Sequence, residues 1–319
     1  MTTGISLRGR RPVLPLLGLC LALTLGSAAC SSSAKSPGSA TSPRIVSTPG
    51  SLSRVASIAA LVPAAIRSRG VVSVATEDFP PASYQTASGQ LTGWEVQLGE
   101  DLGTVLGIPF RFHLIQFAEI IPGLQGGKYD LGMGDIAVTA ARESVVDFVS
   151  THEANEVFMA PSSSSLRPSG LLGLCGLKVA LLVGGVEVAE VAAAQPKCAQ
   201  AGKKSIDVQQ YESQPQVNLA LASGRAQIEA TASDFVAYVL AQTHGQFKIV
   251  GRYGPNALSG IAIAKNVAAA QFAVALQRGV QYLIRAGVYR QIFQRFNSGL
   301  GLLPGNLIQV NPKRTTFGG

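Results

Sequence analysis

The chain is short of several things that would point to common functions. Only 14% of its 319 residues are charged, 6% are aromatic, and there are one Trp, three Met, three His and four Cys. His113, His152 and His244 lie far apart in sequence, and none sits at ligand spacing with a cysteine or a second histidine, so no metal motif is written here. No G-x-S-x-G or suitably spaced Cys/His pair supports nucleophilic hydrolysis. No basic stretch interleaved with aromatics marks a nucleic-acid groove. The formal charge of +8 falls to +5, 23 basic against 18 acidic residues, once Arg8, Arg10 and Arg11 of the N-terminal segment are set aside. What is present is a 47% hydrophobic composition and 35 glycines, which is a globular composition of two domains or one large one.

The N-terminus reads as a signal peptide over residues 1–29, with a basic start, an apolar run from Val13 to Leu25 and the small residues Gly26-Ser27-Ala28-Ala29. At about 13 residues the run is too short to span hydrocarbon. The small residues before Cys30 resemble a bacterial lipobox, although Ser27 stands where Leu is usual. Lipidation of Cys30 would anchor the protein to the outer face of the cell membrane; the alternative is ordinary cleavage that leaves a free thiol. Residues 30–57, rich in Ser, Pro, Gly and Thr, are expected to be a flexible tether.

From Val71 onward short apolar runs alternate with amphipathic stretches. Val71 to Ala75, then Leu98, Leu102, Val105 and Leu106 at helical spacing, then Phe110 to Ile115 open as a βαβ unit, and the rhythm continues through Asp130 to Met133, a helical segment around Arg142 to Val146, and Val157 to Ala160. A Ser/Pro/Gly break from Pro161 to Gly170 suggests a domain crossing. A second series follows: Lys178 to Val183, helix Val186 to Ala194, strand Ile206 to Val208, helix Gln214 to Ser223, and Gln227 to Thr231. Beyond the turn-like Gly251 to Pro255 come a strand at Ile261 to Ala264 and helices over 268–286 and 288–297. Two sheets are expected. Cys175 and Cys198 flank the first strand and helix of the second series, and a disulfide is the economical reading.

Leu91-Thr92-Gly93-Trp94-Glu95-Val96-Gln97-Leu98, then Ile121-Pro122-Gly123-Leu124-Gln125-Gly126-Gly127-Lys128-Tyr129-Asp130-Leu131, then Thr139 to Arg142 and Val145-Val146-Asp147-Phe148, are similar to the extracellular solute-binding proteins of family 3, the amino-acid receptors of ABC importers. The cysteine-bearing segments look like those of the high-GC Gram-positive branch. Trp94 stands where Phe or Tyr is usual and Gln97 where an acid is. The resemblance implies an α/β fold of the type II periplasmic-binding-protein kind: two lobes, each a mostly parallel sheet flanked by helices, closing on a ligand. Lobe 1 would combine residues 58–159 and 256–319, and lobe 2 residues 160–255, with hinges near Met159 to Ser165 and Gly251 to Ser259. An ABC permease partner, a monomer and no cofactor are implied with it.

The site residues follow from the same resemblance. Arg142 matches the arginine that holds a ligand α-carboxylate; on sequence alone it could equally pair with Glu143 or Asp147. Asp234 matches the carboxylate that takes the ligand ammonium, or serves as a helix cap. Phe79 and Phe117 match sandwiching aromatics, with Glu77 and Tyr84 beside them. Asp135 and Ala137 stand where small hydroxyl residues are usual. Gly185, Val186 and Glu187 occupy the second lobe's ligand loop, where Val186 replaces a hydroxyl and Glu187 is either a site acid or a helix-dipole residue. Three carboxylates, Asp135, Glu187 and Asp234, around one arginine disfavour an acidic ligand. The ligand is expected to be a polar or basic amino acid, or a related guanidino or ammonium compound. A dehydratase on the same fold, using Glu187 or Asp135 as general acid, and a sensor without a permease are the competing readings.

Overall fold

The computed structural model describes residues 52–298 and 301–312. The signal peptide, Cys30 and most of the tether lie outside the described residues. Leu52 and Val55 already pack on the core, and Val55 N donates to Val105 O at 2.9 Å. The elements in order are α1 (Ala56–Ala59), α2 (Ala64–Arg69), β1 (Val72–Thr76), β2 (Tyr84–Gln85), β3 (Leu91–Thr92), α3 (Trp94–Leu106), β4 (Phe110–Leu114), α4 (Phe117–Gln125), β5 (Leu131–Gly132), α5 (Ala140–Glu143) and β6 (Val146–Pro161). They continue with β7 (Lys178–Leu182), α6 (Val186–Gln200), β8 (Asp207–Tyr211), α7 (Gln214–Ala222), β9 (Ile228–Ala232), α8 (Ser233–Gln242), β10 (Phe247–Ala264), α9 (Ala269–Arg285) and α10 (Val288–Arg295).

The first half builds β4-β1-β5 as a parallel set, and the second half builds β9-β7-β8 in the same way. Two separate sheets were expected, and this is corrected: β6 and β10 pair antiparallel along nearly their whole lengths and join the halves into one ladder, β4-β1-β5-β10-β6-β9-β7-β8. Register shifts at Ile249/Gly251, Tyr253/Ala257 and Ser259/Gly260 interrupt the pairing of β6 with β10. The ladder reaches the second half within β6, whose Glu156–Met159 pair with β9, ahead of the Ser-rich stretch. Gly251 to Pro255, turn-like in sequence, lies inside β10, and the helix expected through Val146 stops at Glu143.

Packing follows the pattern of apolar residues. β1 lies between β4 and β5 with Val72 and Val74 fully buried. α3 buries Leu98, Leu102 and Val105 and packs on β4 and α9. Gly93 caps α3 at φ 134°, and a Cβ there would collide with Ala82 O, so only glycine fits the turn. The second half has its own cluster, including Phe158, Leu174, Val179, Leu181 and Val191. Cys175 and Cys198 form the expected disulfide, Cα atoms 5.7 Å apart, tying the entry of β7 to the end of α6. In the chain-entropy model that closure stabilises the fold by roughly 3 kcal/mol.

Candidate functional site

Parallel strands end in loops at one edge, and ligands of such sheets gather there. That edge gathers the expected residues from both halves. β1 delivers Glu77 and Phe79, α4 begins at Phe117, the turn after β5 carries Asp135 and Ala137, and α6 opens from Gly185 with Val186 and Glu187. These residues and Arg142 line one crevice, completed by Ala154 and Glu156 of β6, Ala257 and Ser259 of β10, and Thr231 and Ala232 of β9. Among the described residues that line it, Arg142 is the only cation.

Arg142 is fixed by its short helix, where Thr139 Oγ1 accepts from Arg142 N at 3.2 Å. Its side chain reaches away from Glu143 and Asp147. Nη1 donates to Ala137 O at 2.8 Å and Nη2 to Gly184 O at 2.9 Å, so one guanidinium joins carbonyls of the two halves. The guanidinium carbon lies 5.3 Å from the Phe117 ring centre, a cation–π contact. Burial lowers the arginine pKa, while Glu187, Glu77 and Asp135 work to raise it.

Asp135 sits at φ 50°, a left-handed conformation that costs an L-residue roughly 1–2 kcal/mol. The geometry is held by two bonds: Asp135 N donates to Glu95 Oε2 at 3.0 Å, and Asp135 Oδ1 meets His152 Nε2 at 2.6 Å. The Asp135 side chain is 4% exposed, and the His152 ring packs edge-on to Trp94, with ring centres 4.6 Å apart. Burial opposes the charged imidazole, but Asp135, with Asp234 and Glu95, outweighs it and raises the His152 pKa.

Asp234 is not on the crevice wall. It joins Asp135 and His152, with ligand-capable atoms of the three all within 4.8 Å of one another, a donor set of the metal-binding type. It is the second residue of α8, whose cap residue is Ala232, and its Oδ1 is buried without a hydrogen-bond partner. Burial and then the Asp135 charge push its pKa to about 7. Phe79 stacks on Phe235 of α8 with ring centres 4.8 Å apart. Tyr84 is not among the lining residues, and its ring lies 5.7 Å from that of Tyr238. Trp94 is fully buried in the core.

Further buried acids complete the set, of which Glu77 alone was expected from the sequence. Glu95, 1% exposed, is raised to about 8 by burial first and then by Asp135 and Asp234. Burial also raises Glu229 to about 8 and Glu190 to about 7, and holds Glu77 and Glu156, each 3% exposed, well above the usual carboxylate range. Carboxyls held this high keep their protons near neutral pH, and a cation entering among them would favour their release.

Residues 71–299 match the family model described as bacterial extracellular solute-binding proteins, family 3. The arginine-binding protein ArgT of Corynebacterium glutamicum is 30% identical over 262 residues, covering 81% of this chain and 84% of that protein. The L-arginine-binding protein of Pseudomonas aeruginosa is 24% identical over 232 residues, covering 69% and 85%. Among solved structures, an ancestral arginine-binding protein bound to arginine superposes with a TM-score of 0.65 at 26% identity, covering 72% of this chain and 98% of that one. A variant of ArgBP from T. maritima gives 0.67 at 24% identity, covering 73% and 98%.

Proposed function

Because the chain belongs to the bacterial extracellular solute-binding proteins, family 3, we propose that it is the extracytoplasmic receptor of an ABC importer, capturing a polar or basic amino acid, or a related guanidino or ammonium compound, by closure of two lobes. One observation carries the ligand class: a crevice between the two halves in which Glu77, Asp135, Glu156 and Glu187 surround a single arginine. The relatives named for arginine binding support it.

Closure works by population shift. A ligand that touches both halves only when they are together favours the closed state by its differential affinity. Arg142 suits that role, since its guanidinium engages Ala137 O on one side and Gly184 O on the other. We assign the hinges to β6 and β10, where the register shifts of their pairing support a bend. Asp135, with Asp234 and His152 close behind it, forms the cation-receiving end, and Phe79 and Phe117 the aromatic walls. Cys30 carries the lipid that holds the receptor at the membrane and near its permease; no helix among the described residues is long and apolar enough to cross a membrane.

Calorimetric titration with arginine, lysine, histidine, glutamine, glutamate and simple guanidino and ammonium compounds tests the reading. Tightest binding should be to a cation, and tightest binding of glutamate would overturn the charge argument. Arg142→Ala should weaken capture by at least about 100-fold, equivalent to roughly 3 kcal/mol, with the folded baseline in circular dichroism kept. Retained affinity would reject the role of Arg142. The buried, proton-holding acids Glu77 and Glu156 give the catalytic alternative its one support; turnover of prephenate by the purified protein would decide for it.

A further inference from the structure

The cation-receiving end of the receptor reading, on which this inference rests, depends on how one carboxylate is held. Asp135 lines the crevice, and its backbone N–H is turned away to Glu95 Oε2. Among the described residues its carboxylate has one hydrogen-bond partner, His152 Nε2 at 2.6 Å. Ligands around a tetrahedral metal ion stand roughly 3.3 Å apart, so at this distance the two atoms are bonded to each other rather than spread around an ion. The histidine is itself fixed. It is a buried residue of β6, with its ring edge-on to Trp94. Its Nδ1 lies 3.1 Å from Thr151 Oγ1, which stands 3.5 Å from Ser259 O of β10. A neutral imidazole protonated at Nε2 donates to Asp135 and accepts from the Thr151 hydroxyl at Nδ1. An imidazolium donates from both nitrogens, while the Thr151 hydroxyl turns to donate to Ser259 O. Both protonation states are therefore bonded at both ends with no heavy atom displaced.

We propose that His152 is the positioning residue of the cation-receiving end: as neutral imidazole it presents Asp135 to the ligand's ammonium or guanidinium, and as imidazolium it claims that carboxylate for itself and weakens capture. Ligand cation and imidazolium are alternative partners of one buried charge, so binding of the first releases a proton from the second. The ionisable groups that face the ring are Asp135 from the turn after β5, Asp234 from α8 and Glu95 from α3. From α10, the Tyr289 hydroxyl donates to Thr151 O, and the residues opposite His152 on its own sheet face, Ser259 of β10 and Leu302, do not titrate. Burial opposes the imidazolium, but the three acids outweigh it and raise its pKa above the ordinary 6.5, which puts the exchange in the neutral range. Asp234 and Glu95, raised chiefly by burial to about 7 and about 8, titrate over the same range, so a variant at the ring is needed to separate them from it.

Arginine, whose guanidinium and carboxylate do not titrate between about pH 5.5 and 8, is the probe. Calorimetric titration of the full mature protein should show its affinity rising about tenfold over that range, with protons released on binding, read from the dependence of the binding heat on the buffer's heat of ionisation. His152→Gln keeps an N–H donor but takes up no proton; it should flatten the profile to about threefold or less and release fewer protons. His152→Ala, which leaves Asp135 unanchored, should bind at least about tenfold more weakly than His152→Gln at pH 8. A flat profile in the unsubstituted protein, or an unchanged profile and proton release in His152→Gln, overturns the inference while the receptor reading stands. Equal affinity of His152→Ala and His152→Gln overturns the positioning role. Thermal melting shows whether each variant is folded; should His152→Gln not be, Asp135→Asn, which removes the carboxylate that the ring claims, must flatten the same profile or the inference falls. If another amino acid of the panel binds in place of arginine, it becomes the probe; if none binds, the receptor reading itself fails.

Discussion

The body around β1, α3 and α9 and the body around β7 and α6 are held by different means. The first closes over an apolar cluster that runs from Ile58 to Ile308 and takes in both ends of the described chain. The second rests on a smaller cluster, from Phe158 to Tyr253, and on the Cys175–Cys198 bond. α8 follows β9 in sequence, yet its Phe235, Val236 and Val239 pack into the larger cluster. The two clusters are thus bridged by an apolar seam at α8 and a charged seam at Arg142, whose Nη2 donates to Gly184 O.

The comparison can be broken at three strengths. Phe235→Ala removes a fully buried ring stacked on Phe79 and should cost roughly 3–5 kcal/mol in denaturant unfolding. Unchanged stability would show that the seam is not dry. Replacing both cysteines, Cys175→Ser with Cys198→Ser, should cost about 3 kcal/mol. Hydrogen exchange should quicken in β7 and α6 and stay slow in β1 and α3; uniform quickening would mean that the bodies are not separately held.

The smallest effect is on pH. Glu95 and Glu229 titrate near 8 in the folded protein, above the roughly 4.3 of a free glutamate, and Asp234 near 7. The native state thus holds protons that the unfolded chain releases. The stability this gives is complete below about pH 4 and is lost as pH rises through 7 and 8. His152, raised above its ordinary value, contributes in the same direction, with its share lost as pH rises through its folded pKa. Without ligand, the melting temperature should fall by roughly 5 °C between pH 5.5 and 8.5, and a bound cation should shrink that fall. A rise instead would place the charged seam among solvated groups.

Much of this was legible in the sequence for physical reasons. β1, β4, β7 and β9 are short, largely apolar segments, each within the apolar stretches that the sequence pattern marks. The family resemblance then nominated Glu77, Phe79, Phe117, Asp135 and Arg142, which the fold brings to one crevice. β6 and β10 were legible only in part. Only their C-terminal ends, Val157 to Ala160 and Ile261 to Ala264, read as strands, while the middles, Ser150 to Glu156 and Gly251 to Asn256, carry the polar and glycine-rich composition of loops. Glu95 and His152 were not legible as site neighbours, since nothing local marks an acid in a helix or a histidine in a strand as the partner of an aspartate 40 or 17 residues away. Asp135 at positive φ gives no sign in its sequence either; its conformation is set by those partners.

The route of the chain also sets an order of assembly. The second body draws its cluster from one contiguous stretch, Phe158 to Tyr253, and can condense as soon as that stretch is free. The first cannot be finished until β10 has returned to pair with β5 and α9 has been laid on α3, which brings together residues more than a hundred positions apart. Until then β5 has an open edge facing outward. During export, then, the amino-terminal third is the portion that must wait for the last third, and it is there that a chaperone or a misplaced strand from a neighbouring chain would find its opportunity.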